Sequence, residues 1–329
     1  MDSVTDAGLS RDWMPGRVVW TDGAPRVEWV YFPERRFAEP FFEATLQTIM
    51  RRPFNLLFRH NTSMEFLEQW ADTHRGIPPT GFIFHVSRCG STLLSSLLGR
   101  LSGAVVLSEP GPVDAVLRAH LRDGGLAREI QISWLRAMVS ALGRPIDASP
   151  GRLFIKFDAW NVLELPRIRA AFPDVPWVFV YRDPVEVLVS AVRRRGVHTI
   201  PGALEPALFG IELTDALRLS PEEYCARVLA RIYEAGLRYH EPGRSVLVNY
   251  VDLPGAAWGQ VAGAFDLKLA PDEVEVLENA AESNPKTGMN FSPDSLEKRQ
   301  SATDAIREMA AKWLRGPWEE LEVIRLCGA

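Results

Sequence analysis

No apolar run in the 329 residues approaches the ~20 that cross a bilayer, so no membrane-spanning helix is expected. The opening residues, MDSVTDAGLSRDW, carry acids and no apolar stretch, and no secretory leader is expected. Cysteine is scarce. Cys89, Cys225 and Cys327 are far apart and odd in number, which argues against both a disulfide framework and a zinc cluster. A reduced cytoplasmic location follows as the expectation. Excess positive charge is also missing: the net charge is −5, so nothing global points to nucleic acid, and any anion site must be built from local cations. There are no repeats and no low-complexity segment.

What is present is ordinary for a globular chain, 47% hydrophobic and 24% charged, and long enough for one core domain with additions. Residues 17–32 hold two β-like runs around Asp22-Gly23, which reads as a hairpin. Residues 40–51 and 63–73 have helical spacing. RGIPP at 75–79 ends this preamble, so 1–78 is expected to be an N-terminal hairpin-and-helix extension and 79–329 the main domain. Strand-like runs then alternate with helical stretches: FIFHV (82–86), AVVLS (104–108), LFIKF (153–157), WVFVY (177–181) and SVLVNY (245–250). All are apolar on both faces, as strands of a covered parallel sheet are. The expectation is a three-layer α/β/α fold around five parallel strands, with the site in loops at their C-terminal ends. Residues 272–326 read as helices interrupted by NPKTGMNFSPDS.

The first of these strands runs into Ser87-Arg88-Cys89-Gly90-Ser91-Thr92 and then a helix. That is the layout of a phosphate-binding loop, but His85 and Ser91 stand where the nucleotide-triphosphate version has glycine and lysine. What remains is Arg88, one glycine, two hydroxyls and a helix N-terminus, a set that favours an anion. After the fourth strand comes Arg182, then Pro184 at a helix start, Ser190 eight residues beyond Arg182, and the cluster Arg193, Arg194, Arg195.

Together these segments resemble the sulfotransferases that use 3′-phosphoadenosine 5′-phosphosulfate, with spacing most similar to the tyrosyl-protein branch and to bacterial members. The resemblance covers about 80–255 and, more weakly, the tail. It implies a P-loop-like fold, nucleotide binding, and transfer of a sulfuryl group to a hydroxyl of a small-molecule or peptide acceptor, with no metal. It implies that Arg88, Cys89, Gly90, Ser91 and Thr92 hold the 5′-phosphosulfate. Arg182 and Ser190 then take the 3′-phosphate, and Tyr250 touches the nucleoside. Lys286 or Arg299 in the tail closes on the 3′-phosphate. Glu109 just past the second strand is implied as base, with Lys156 and Arg88 on the transferring group. Asp158 occupies the position of the base in cytosolic small-molecule members, so either acid could serve. Cys89 stands where the family has serine, and Leu93 where many members have tryptophan.

The chemistry suits these residue types: a carboxylate to take the acceptor's proton, fixed cations for the charge growing on the bridging oxygen, and a loop to hold donor and acceptor in line. A sulfuryl group carries less charge than a phosphoryl group, so arginine and lysine can do the work of Mg²⁺. Each residue also has a plainer reading. Glu109 could be a turn acid, Asp158 a helix N-cap, Tyr250 a core residue and His85 a core histidine, while His198 is expected to be exposed. The competing functions are a P-loop kinase with a degenerate loop and a non-catalytic nucleotide binder of the same fold.

Overall fold

A computed structural model of the chain describes residues 8–37, 39–145, 151–282 and 294–327. The hairpin forms as expected. Strand β1 (Trp13–Thr21) pairs antiparallel with β2 (Ala24–Tyr31), and Thr21 faces Ala24 across the turn. Asp22 and Gly23 have φ of 51° and 79°. A two-residue turn with both central residues left-handed matches the twist of its strands, and Asp-Gly supplies that conformation cheaply. Helices α1 (Phe42–Met50), α2 (Pro53–Leu57) and α3 (Met64–Thr73) follow, α3 capped by Ser63 accepting from the Phe66 N–H (3.2 Å).

One strand was not legible in the sequence. β3 (His60–Ser63) adds to the free edge of β2. Its residues, HNTS, carry no strand signal, and long-range bonds hold it: Trp29 Nε1 donates to Thr62 Oγ1 (2.8 Å) and Arg26 Nε to Asn61 Oδ1 (3.0 Å).

The second sheet has five strands: β4 (Pro79–His85), β5 (Ala104–Ser108), β6 (Arg152–Lys156), β7 (Trp177–Tyr181) and β8 (Ser245–Asn249). Their order is β5-β6-β4-β7-β8, with β5/β6, β4/β7 and β7/β8 parallel. The fold is therefore α/β, a five-stranded parallel sheet flanked by helices plus an N-terminal antiparallel sheet, as expected. β7 is buried at every position, which is why its sequence is apolar without alternation.

The chain divides into two compact units, Met1–Gly81 with Leu98–Phe157 and Pro166–Val175, and Phe82–Leu97 with Asp158–Leu165 and Pro176–Ala329. In the first, α3 packs on the helix Arg128–Leu142. In the second, the helix Pro221–Arg238 packs on Pro184–Arg193, Asp304–Trp313 and Arg315–Cys327. It approaches β7 closely, because a Cβ on Gly236 would lie 2.3 Å from the Phe179 ring. The tail is helical as expected. Most of its NPKTGMNFSPDS interruption lies outside the described residues, and Lys286 with it. Among the described residues no helix is long and apolar enough to cross a membrane.

Candidate functional site

The loop after β4 is bent by left-handed residues: Ser87 (φ 68°), Arg88 (55°) and Gly90 (86°). The chain then enters helix α4 (Ser91–Leu98), whose first-turn N–H groups have no intrahelical acceptor and whose dipole favours an anion. His85 serves the turn, its Nδ1 accepting from the Ser87 N–H (2.9 Å). Cys89 is buried, with its Sγ on the Val180 carbonyl (3.1 Å). A serine there could make the same bond to β7, so the exchange leaves the loop's path intact. Gly90 is required twice over. Its φ is left-handed, and a Cβ would lie 2.7 Å from Leu253 and 2.9 Å from the Tyr250 ring.

Tyr250 thus packs directly on the loop. Its ring also carries the Arg182 guanidinium, whose Cζ is 3.8 Å from the ring centroid. Arg182 leaves the end of β7 and is buried, and its carbonyl accepts from Tyr233 Oη (2.6 Å). Asp183 caps the helix Pro184–Arg193 by accepting from Val185 and Glu186 N–H (3.0 and 3.2 Å), which stands Glu186 one turn above Arg182. Arg182 Nε donates to Glu186 (2.6 Å), and its second arm to Asp294 (2.5 Å) and Ser295 Oγ (3.1 Å). Asp294 is in turn gripped by Lys298 Nζ at 2.7 Å. A carboxylate from the tail therefore sits between two cations, the kind of seat a phosphate takes.

The charges set each other's protonation. Burial pulls the Arg182 pKa down, but the bonds to Asp294 and Glu186 outweigh it and leave it raised. Burial pushes Asp294 up, and Lys298 and Arg182 outweigh that, so its carboxyl lies below the ordinary range. Burial lowers Lys298, and burial with the nearby Arg194 lowers Arg88, which Asp294 partly offsets.

Of the residues expected from the sequence, the Gly90 loop, Arg182 and Tyr250 come together. Ser190 is buried one turn beyond Glu186, and its hydroxyl donates to the Glu186 carbonyl (2.9 Å). Arg299 is not on Arg182; its Nε donates to Glu186 (2.7 Å), and it lies 3.4 Å from Asp183. Ser295 meets Arg182 directly, and the charged tail residues that join the Arg182 cluster beside it are Asp294 and Lys298, both missed by the sequence reading. Their i,i+4 spacing is the only local signal, and it is common on helices. His198, expected to be exposed, is buried against Trp160 with ring centroids 5.5 Å apart. The short 3-10 turn Val197–Thr199, entered from Gly196, carries it inward.

A second constellation lies in the other compact unit. Glu109, just past β5, is left-handed (φ 54°) and its N–H donates to the Lys156 carbonyl (2.6 Å). Its carboxylate pairs with Lys156 Nζ. Lys156 is fully buried, with Nζ 5.1 Å from the Phe41 ring centroid, whereas the Glu109 side chain keeps a partly exposed face. Lysine at a strand end is affordable there because an acid and a ring meet its charge. Asp158 takes the N-cap position of the turn Ala159–Glu164, with Asn161 Oδ1 accepting from its N–H (3.1 Å).

No family model matches the chain, and no curated protein matches it. Several solved structures do. Five of these are sulfotransferases. A sulfotransferase domain from the curacin biosynthetic pathway is 16% identical, with 72% of this chain and 98% of that chain covered and a TM-score of 0.40. A sulfotransferase domain from the olefin synthase of Synechococcus PCC 7002 is 18% identical, with coverages of 76% and 96% and a TM-score of 0.40. A sulfotransferase from Mycobacterium avium is 13% identical, with coverages of 76% and 81% and a TM-score of 0.45.

Proposed function

We propose that the protein is a sulfotransferase that moves a sulfuryl group from 3′-phosphoadenosine 5′-phosphosulfate to a hydroxyl of a small-molecule or peptide acceptor in the cytoplasm. The observation that carries this reading is the stack of Gly90, Tyr250 and Arg182, with Lys298 across the same carboxylate. It sets an aromatic face and two cations beside the bent loop and its helix N-terminus. That is a seat for a nucleotide with a second phosphate, and the loop offers Arg88 while Ser91 stands where an ATP site has its lysine. The residues fit the donor by charge: two cations that already hold a carboxylate, and an arginine-bearing loop at a helix N-terminus. Arg182 and Lys298 would take the 3′-phosphate in place of Asp294, Tyr250 would meet the nucleoside, and Arg88 with the loop N–H groups would hold the phosphosulfate. The donor supplies the activated sulfuryl group.

Glu109 is assigned to take the acceptor's proton. Its carboxylate is paired with Lys156, and negative charge on a bound donor would draw that ammonium away and free the carboxylate for the acceptor's proton. Lys156 and Arg88 are assigned to neutralise the leaving oxygen. Asp158 is assigned a capping role.

Calorimetry without metal tests the reading. Adenosine 3′,5′-bisphosphate is expected to bind, and Arg182→Ala to weaken it about tenfold or more while barely altering AMP, since a charge-assisted contact is worth ~1.5–3 kcal/mol. Equal losses for the two ligands, or binding of ATP with Mg²⁺ in preference to the bisphosphate, would overturn it.

A further inference from the structure

Helix α2 is inside out. A surface helix buries its apolar residues and exposes its polar ones. Here the buried residue is Asn55, 6% exposed, while Phe54, Leu56, Leu57 and Phe58 are 44, 53, 77 and 53% exposed. Nothing about Asn55 is loose. Its Oδ1 accepts from the Tyr31 N–H (2.7 Å), and its Nδ2 donates to the carbonyls of Tyr31 (3.0 Å) and Ile49 (3.1 Å). A polar staple therefore fixes the turn against the end of β2 with its apolar side outward. The ridge is backed by aromatic rings: Phe54 lies 4.7 Å from Tyr31, 6.0 Å from Trp13 and 4.8 Å from Phe58 between centroids. Holding these side chains in water is costly, so their retention needs an occupant.

The flanking charge identifies its chemistry. The stretch RRPFNLLFR has three arginines and no acid in a chain of net charge −5. Arg52 is held by Glu34 at 2.7 Å, and Arg51 and Arg59 are exposed at either end of the ridge. A second copy of the chain fits poorly. Four partly exposed side chains offer far less than the ~800 Å² per partner that a stable interface buries. A bilayer makes no such demand: leucine and phenylalanine enter the headgroup boundary while basic residues meet anionic lipid. We propose that α2 is a membrane-surface wedge that docks the N-terminal extension on an anionic lipid bilayer. The proposal stands apart from the reaction assigned above.

The test is co-sedimentation of the full chain with phosphatidylcholine vesicles made with and without phosphatidylglycerol. The protein is expected to pellet with the anionic vesicles. Leu57→Gln with Phe58→Gln is expected to cut partitioning about tenfold or more, since two apolar side chains no longer leave water. Arg51→Gln with Arg59→Gln is expected to abolish the preference for phosphatidylglycerol. Thermal melts of both variants should match the parent, because the altered side chains are exposed. Failure to pellet with either vesicle overturns the proposal, as does undiminished pelleting of the Leu57/Phe58 variant. So does a dimer seen by light scattering that this variant dissolves, which would make a second copy the occupant.

Discussion

Asp294 occupies the seat that the proposed function gives to a phosphate. It is held by Arg182 and Lys298, so it competes with any anion that approaches them. Asp294→Asn is therefore expected to tighten adenosine 3′,5′-bisphosphate binding, and Lys298→Ala to weaken it; calorimetry reads both. The same carboxylate has a pH signature. Its pKa is depressed below the ordinary aspartate value of 3.8, so its contribution to stability is complete above that value and is lost as pH falls through the lower folded value. The melting difference between the parent and Asp294→Asn should be present at neutral pH and vanish in strong acid. A difference that survives in acid would show that the ion pairs do not hold this tail segment. For the base, Glu109→Gln is expected to reduce transfer by ~10²–10⁴ at saturating donor, and Asp158→Asn to leave more activity. A dead Asp158→Asn beside an active Glu109→Gln would reverse the assignment. Residue identity was legible here and partnership was not: Arg182 could be named from its place after a strand, whereas Glu186 and Asp294 were brought to it by a helix cap and by a segment over a hundred residues away.

Elements owe their positions to small numbers of close contacts. Gly236 lies near the end of the helix Pro221–Arg238, where alanine would gain about 1 kcal/mol of helix propensity. A Cβ there would meet the Phe179 ring at 2.3 Å, and overpacking costs ~1–3 kcal/mol. Gly236→Ala is expected to destabilise the protein in urea denaturation; a gain in stability would mean that β7 yields. The hairpin, α1 and α3 were readable because turn chemistry and apolar period are local. β3 was not, because HNTS becomes a strand only when the edge of β2 is beside it. Nor was the reversal of α2 readable, since FNLL shows no period that says which side faces inward, and the three bonds of Asn55 decide it.

At the scale of the molecule, a ligand that binds only the folded chain raises its melting temperature by mass action. Adenosine 3′,5′-bisphosphate at a hundredfold excess over its Kd should add about 2.7 kcal/mol, and EDTA should leave the thermal shift unchanged. A shift that EDTA removes would contradict metal-free binding. The five strands and their parallel, doubly covered character were determined by the sequence alone, because burial on both faces writes itself as unbroken apolar runs between helical stretches. The bent loop with its anion-favouring helix start was determined there too, since glycine, hydroxyls and arginine act over a few residues. Only the tertiary structure decided that Tyr250 lies between Gly90 and Arg182, that Asp294 and Lys298 close on that pair, and that Glu109 meets Lys156. Those contacts join residues distant in the chain, and their energies depend on burial and on the other charges present, neither of which exists until the chain has folded.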